Sequence, residues 1–524
     1  MPGIPKILRI TAGILPICLA CLSCASTGVR ESKTDPLATL PPGAVSYAPP
    51  IGDAALEYKA EAILYLPAAN GSRLISITED VLFFTARPQA ESLVRALLIH
   101  PGNDTVSSLG GEIQLSLYGV NPVEVSRDVV TVNLAASALQ MDHKSYYLIC
   151  QAITNTLTTL PGIHYVNFLV MDRHIGLDIA STLPAGAFSR SIGVDVGTVY
   201  EQLLSQRAGI EENATEKRLS AMVALYFPIV GIEGLLPEVR NITFDSQALT
   251  DMAIRLLEEL GKGPQQKGYS PPLPLLSELL LEAPSISEAS EGGGRFLTLR
   301  FDSNLDSMLT AFSLTRAQSM ASLCYTLTTF LPGVTGVRAY IGDGLLYNVK
   351  LDARSAQIAL LFDNAIQRRG DYAAFVMDIC TLYLASADGQ KLIPVQRAIP
   401  YFQTTNPRAL LLELAKGPLS SDLTQNALPI MPRGSLKDAD ILGFSLVGDA
   451  LVVHCSQAFE QVGRGMDGGQ ERLLVYGMVN TLCSLNLIHR VCFFVAGDSP
   501  ADFSGEIYWA GYFYANMGLV QNRQ

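Results

Sequence analysis

Leu256-Leu257-Glu258-Glu259-Leu260-Gly261-Lys262-Gly263-Pro264, at the middle of a 524-residue chain, reads as the last turns of an apolar-striped helix stopped by glycine and proline. Glycine takes the left-handed cap without steric cost, and proline cannot continue the backbone ladder. The same ending returns after residues 409–415 as Lys416-Gly417-Pro418 and, altered, after residues 90–100 as Pro101-Gly102. A helix stops in one way three times, and a pattern of roughly 130 residues repeats around each stop.

Working outward, each stop is followed by an alternating run: Val130-Thr131-Val132-Asn133-Leu134, Leu297-Thr298-Leu299-Arg300-Phe301 and Leu451-Val452-Val453-His454-Cys455. Period-two alternation predicts a strand with one buried face. A second helix is predicted at 146–160, 317–331 and 471–485, its apolar residues forming one stripe. It carries Asn155-Thr156-Leu157 and Asn480-Thr481-Leu482, whereas the middle copy has Tyr325-Thr326-Leu327. Leu160-Pro161-Gly162 and Leu331-Pro332-Gly333 then turn the chain into an apolar strand, while the third copy has Leu485-Asn486-Leu487 there. A strand pair opens each copy, at 62–66 with 81–84, 222–227 with 239–244 and 381–384 with 395–399. The predicted order is β-β-α-β-α-β: an α/β (α+β two-layer) fold with two helices on one face of a small mixed sheet, in three tandem modules.

These recurring residues resemble the GerMN domain of the GerM-type sporulation and spore germination proteins. The likeness rests on Lys-Gly-Pro with Gly263, Pro264, Gly417 and Pro418, on Asn-Thr-Leu, and on Leu-Pro-Gly with Pro161, Gly162, Pro332 and Gly333. Modules are placed at 55–185, 218–350 and 378–518, joined by 186–217 and 351–377. The departures are a third copy, His100-Pro101-Gly102 in the first, and the missing Leu-Pro-Gly in the last. The resemblance implies a non-enzymatic envelope protein without cofactor, whose modules are similar to the ring-building folds of spore-associated membrane complexes. Its implied partners are other envelope or spore-complex proteins, with self-association and peptidoglycan as further candidates.

Residues 1–24 read as a lipoprotein-type signal peptide, with Lys6 and Arg9 ahead of an apolar run too short to span a bilayer. Cys24 is the expected lipidation site and Cys21 the alternative, with 25–54 as a tether to the membrane. Three of the nine cysteines lie in this leader. The other six occupy apolar positions, where free cysteine behaves as a small hydrophobe. A Cys455–Cys492 disulfide stays open at this point. The formal charge is −12, and loss of Lys6 and Arg9 takes it to −14, which steers the chain away from nucleic acid.

Catalytic and metal-binding patterns do not emerge. The six histidines are scattered, with His164 and His174 read as a solvent-facing pair, and no HExxH, nucleophile elbow or phosphate loop occurs. The acidic pairs Glu211-Glu212 and Glu258-Glu259 read as solvated faces, and Gly292-Gly293-Gly294 as a mobile loop. The alternating strand is more informative. If Val130, Val132 and Leu134 face the helices, then Thr131, Asn133, Thr298, Arg300, Val452 and His454 share the opposite face. That face is the candidate interaction surface, for another module, another copy or an envelope partner. The joins suggest bead-like modules, and the aromatic stretch 507–514 divides between core and an adhesive patch. A peptidoglycan-binding lipoprotein unrelated to sporulation is the alternative function. An envelope hydrolase is a weaker one, because the repeats share no catalytic residue.

Overall fold

Alternation and apolar stripes become the same module three times in the computed structural model. It describes residues 56–521 apart from 70, 72, 86, 178–182, 209–218, 266–272, 289–293, 352–358, 423–425, 487 and 498–506. The leader 1–24 with Cys21 and Cys24, the tether 25–54, Glu211-Glu212 and Gly292-Gly293 lie outside the described residues.

Module 1 runs β1 (Glu57–Pro67), β2 (Leu74–Phe84), α1 (Gln89–Ile99), β3 (Val123–Ser126), β4 (Val129–Leu134), α2 (His143–Leu157), β5 (Tyr165–Val170) and β6 (Phe188–Ser189). After α3 (Val196–Ala208), module 2 runs β7 (Leu219–Pro228), β8 (Leu235–Phe244), α4 (Leu249–Gly261), β9 (Ser285–Glu288), β10 (Arg295–Phe301), α5 (Leu305–Ala311), α6 (Arg316–Phe330), β11 (Val334–Ile341) and β12 (Gly344–Leu345). A short pair, β13 (Asn348–Lys350) and β14 (Ala359–Leu361), precedes module 3. That module runs β15 (Met377–Ala385), β16 (Leu392–Pro400), α7 (Pro407–Ala415), β17 (Ile441–Val447), β18 (Ala450–Cys455), α8 (Gly468–Leu482), β19 (Arg490–Val495) and β20 (Phe513–Tyr514).

The β-β-α-β-α-β order holds, with one strand added ahead of the repeated one and a short strand closing each module. The added strands β3, β9 and β17 are short or glycine-broken, which hides their alternation. Each main sheet is four-stranded and mixed: β3-β4-β5-β6, β9-β10-β11-β12 and β17-β18-β19-β20. Its two central strands run parallel and its flanks antiparallel. Helices α2, α6 and α8 make the crossover that a parallel pair requires. Val130, Val132 and Leu134 are fully buried on the helix side, as the alternation predicts.

The opening hairpin does not join that sheet, so β1 has an edge whose amides β2 cannot satisfy. The second helix satisfies it. The Tyr65 N–H of β1 donates to Thr156 Oγ1 at 2.9 Å, the Tyr226 N–H of β7 to Thr326 Oγ1 at 3.1 Å, and the Tyr383 N–H of β15 to Thr481 Oγ1 at 3.0 Å. One turn earlier on each helix stands a small residue: Ala152, Ser322 or Gly477. Ser322 donates its hydroxyl to the Tyr226 carbonyl, and a Cβ on Gly477 would lie 2.9 Å from the Tyr383 carbonyl oxygen. The threonine that recurs in all three copies is thus a backbone clamp, and the small residue is the clearance that lets it close.

The modules are not separate beads: the described residues fall in one compact unit. Val129 of β4 packs in the apolar core of module 2 with Phe375, Val376 and Tyr401, and Leu56 packs in that of module 3. Asn486 beyond α8 donates to Gln89 Oε1 of α1 at 2.8 Å.

Replacing Thr326 by valine keeps the shape and removes the acceptor, leaving the Tyr226 N–H buried and unpaired. Chemical denaturation should show a loss of about 1–3 kcal/mol. Thr326→Ser should retain most of the stability.

Candidate functional site at the module junction

The glycine-proline corner has a structural explanation in each copy. Gly263 and Gly417 take φ of 72° and 66° directly after the capping lysines of α4 and α7, where a side chain would be strained. Pro264 and Pro418 follow and prevent continuation. A buried arginine from the second hairpin strand binds carbonyls that the helix end leaves without a helical partner. Arg240 donates to the Glu259 and Gly263 carbonyls, and Arg397 donates to those of Glu413 and Gly417, both at 2.7 Å. Arg397 also pairs with Asp422 at 2.7 Å.

Counting three residues on from the hairpin partners of Tyr65, Tyr226 and Tyr383, namely Ser76, Pro237 and Pro394, puts Glu79 where the others have Arg240 and Arg397. Glu79 meets the altered corner: its Oε1 lies 2.9 Å from His100 Nε2, while His100 Nδ1 accepts the Gly102 N–H at 3.0 Å. Nδ1 therefore lacks a proton, and Nε2 carries the one shared with Glu79. The first copy changed both partners of the corner together. Gly162 and Gly333, after Pro161 and Pro332, take φ of 83° and 73° for the turn into the last strand.

Asn155 and Asn480 use both ends of their amides on one residue of the tail that closes the module. Asn155 Nδ2 donates to the Ser191 carbonyl at 2.6 Å and Oδ1 accepts the Ser191 N–H at 2.9 Å. Asn480 holds Asn516 likewise, at 3.2 and 2.8 Å. Leu157 and Leu482 are fully buried in their modules' cores.

Tyr325 has left that clamp for another purpose. Its hydroxyl donates to Glu124 Oε1 of β3 in module 1 at 3.3 Å, and the Arg369 guanidinium lies 4.0 Å from its ring centre. Arg369, from the join between modules 2 and 3, pairs with Glu124 Oε2 and donates to Thr329 of α6. Burial pushes the Glu124 carboxyl up, opposed by the Arg369 charge, and burial raises the Tyr325 hydroxyl well above its ordinary value. Tyr401 of module 3 completes the group, its hydroxyl donating to the Asn121 carbonyl at 3.4 Å.

The six candidate face residues separate. Thr131 is only 3% exposed, its Oγ1 3.4 Å from the Tyr226 hydroxyl, so module 2 covers it. Asn133 Nδ2 donates to Asp172 Oδ1 at 2.7 Å beside the junction. Thr298 and Arg300 are half-buried, and Arg300 stacks 4.4 Å over Tyr340 and pairs with Glu282. Val452 and His454 are buried, contrary to the expectation of a free surface. His454 stacks on Phe494 and lies 2.7 Å from Ser445 Oγ, and burial lowers its pKa. His174 is buried as well, accepting the Ala185 N–H at 3.1 Å, so only His164 of that pair meets solvent. Cys455 belongs to the inner core of module 3 and Cys492 to a cluster on the other side of the sheet with Val452 and Phe494. Opposite faces preclude a disulfide, and all six described cysteines are free. Trp509 and Phe513 are core, while Tyr508 and Tyr514 are exposed.

Sequence reasoning missed Arg240, Arg397, Glu124 and Arg369. Their nearest signal is the Leu-Tyr pair, repeated as Leu64-Tyr65, Leu225-Tyr226 and Leu382-Tyr383, which fixes the register from which the two arginines can be counted. Among the described residues, no group of three or more histidine, cysteine or acidic side chains is placed to hold a metal ion, and no helix is long and apolar enough to cross a membrane.

Residues 63–175 and 381–500 match the Germane family, described as sporulation and spore germination. Among solved structures, the chain is similar to the tandem GerMN domains of the sporulation protein GerM from Bacillus subtilis, at 16% identity over 54% of this chain and 93% of that one, with a TM-score of 0.20. It is also similar to a candidate lipoprotein from Clostridium perfringens, at 17% identity over 26% of this chain and 87% of that one, with a TM-score of 0.18. The curated proteins give no match.

Two outcomes follow from the junction. Arg369→Met leaves Glu124 buried without its counter-charge and should cost about 3–5 kcal/mol in denaturant unfolding, part of which Glu124→Gln should restore. A second contact, between modules 1 and 3, sets a pH dependence. Asp378 accepts the Arg127 N–H at 2.8 Å, and burial raises its carboxyl to about 6. Between the unfolded value of 3.8 and about 6 the folded chain holds a proton that the unfolded chain releases. Stability should therefore fall as pH rises through that window, by at most about 1.4 kcal/mol per unit from this group. Asp378→Asn should remove that share in a pH series of thermal melts.

Proposed function

We propose that this chain, a GerM-type protein built of GerMN-like modules and related to sporulation and spore germination, works without catalysis as an assembly protein of the cell envelope. Lipid on Cys24, with Cys21 as the alternative acceptor, would hold it at the membrane, and its partners would be other envelope or spore-complex proteins.

One observation carries this reading. The outer sheet face of module 1 is already used for docking, with Thr131 covered by Tyr226 and Val129 inside the core of module 2. The corresponding face of module 2 presents Arg300 over Tyr340 and Arg338 over Phe296, two cation–π pairs at 4.4 and 4.3 Å. Arginine fixed on an aromatic ring loses little entropy on contact and suits an acidic docking surface. The motif residues, by contrast, are all engaged in holding the module together. The hydrolase alternative would need an accessible nucleophile and base, and the hydrogen-bonded pair Ser445 and His454 is buried.

The test is the yield of heat-resistant, germination-competent spores from a strain lacking the gene, the same strain with the gene restored, and one carrying Arg300→Glu with Arg338→Glu. Deletion should lower the yield, restoration should return it, and the double variant should fail to return it at normal protein level. An unchanged yield on deletion would remove the spore role. Full yield from the double variant would remove the docking face.

A further inference from the structure

Where the three modules meet, a cavity of about 270 Å³ opens to solvent. Its walls come from module 1 through Tyr118, Glu124, Asn133 and Asp172, from module 2 through Tyr325, and from module 3 and its preceding join through Tyr401 and Arg369. Glu124, Arg369 and Tyr325 are already engaged with one another across the module contact. The groups at the mouth take no part in those pairings. Tyr118 is 38% exposed, and Gly370 has open space where a side chain would start.

Asp172 is held there at some cost. It stands in the turn after β5 with φ of 62°, a left-handed conformation, where the matching turn after β19 in module 3 has Gly497 at 94°. Asn133 fixes it from both ends: Nδ2 donates to Asp172 Oδ1 at 2.7 Å, and Oδ1 accepts the Asp172 N–H at 3.1 Å. That clamp uses one carboxylate oxygen and leaves further acceptor capacity on a residue of the cavity wall.

The chemistry of the wall selects a ligand class. Planar polar groups that both donate and accept stand beside tyrosine rings, and Arg369 offsets the charge of Glu124. Hydroxyl donors suit the carboxylates, hydroxyl acceptors suit the amide and guanidinium, and the C–H face of a sugar ring suits an aromatic face. A divalent cation is disfavoured by the guanidinium in the wall. The volume lies at the small end of ligand sites, enough for one ring.

We infer that the junction cavity binds one pyranose residue of a glycan chain, with wall peptidoglycan as its source. The site is independent of the spore role, so either can fail without the other.

The test is calorimetric titration of the purified chain with the β-1,4-linked tetramer of N-acetylglucosamine, paired with sedimentation on purified peptidoglycan. Saturable binding and co-sedimentation are expected. Tyr118→Ala and Asp172→Asn should each weaken the tetramer about tenfold, and Gly370→Phe, which sets a bulky ring on the cavity wall, should abolish both signals. Thermal melts should show all three variants cooperatively folded, with small shifts for Asp172→Asn and Gly370→Phe, because Asp172 repels Glu124 and Gly370 adjoins Arg369. No saturation by the tetramer would overturn the site, as would equal affinity in all three folded variants. Binding of the tetramer without co-sedimentation would overturn peptidoglycan as the source. Loss on Tyr508→Ala with Tyr514→Ala, and not on the cavity variants, would move the sugar to the C-terminal aromatics and overturn the site as well.

Discussion

A hydroxyl on the second helix satisfying one amide at the edge of the first strand is the contact on which each module depends. A two-stranded hairpin outside the main sheet is marginal alone, because half of its backbone groups find no partner within it. Thr156, Thr326 and Thr481 supply that partner, and Ala152, Ser322 and Gly477 bring the helix close enough to do so. The hairpin then becomes a second layer on the helices, and the other face of the four-stranded sheet meets module 2 in module 1 but is closed by the module's own residues in module 3.

Once the clamp is set, the neighbouring position is free to change, and the copies use that freedom differently. Asn155 and Asn480 close their own modules by gripping a tail residue, whereas Tyr325 reaches out to Glu124 and Arg369. A corner can change in the same way when both partners change together, as Glu79 and His100 show against Arg240 and Arg397. Divergence among the repeats thus builds the junction: the copy that departs most from the asparagine pattern is the one whose helix lines the meeting point of all three.

The repeat, the helix stops and the buried side of the alternating strand were legible because each is a local signal with its own period or turn chemistry. Gly263 and Gly417 could be placed from the sequence because only a left-handed cap explains glycine there. The added strands were not legible: β3 and β9 have four residues each, and β17 is interrupted by Gly443. The open face was only half legible. Alternation places Thr131 and His454 on the outer side of their sheets, but whether an outer side is wet depends on long-range packing such as that of Tyr226 on Thr131. The Glu124–Arg369 pair joins residues 245 positions apart and leaves no local trace.

A sheet face that holds a neighbour, a helix that holds its own hairpin and a junction lined by three modules draw the described residues into one compact unit. Small-angle scattering of the chain from residue 43 onward tests that most directly. A single compact body of this length should give a radius of gyration of about 23 Å with a bell-shaped Kratky profile. A radius of about 30 Å or more, with a profile of independently moving domains, would contradict the junction as the element that unites the three modules.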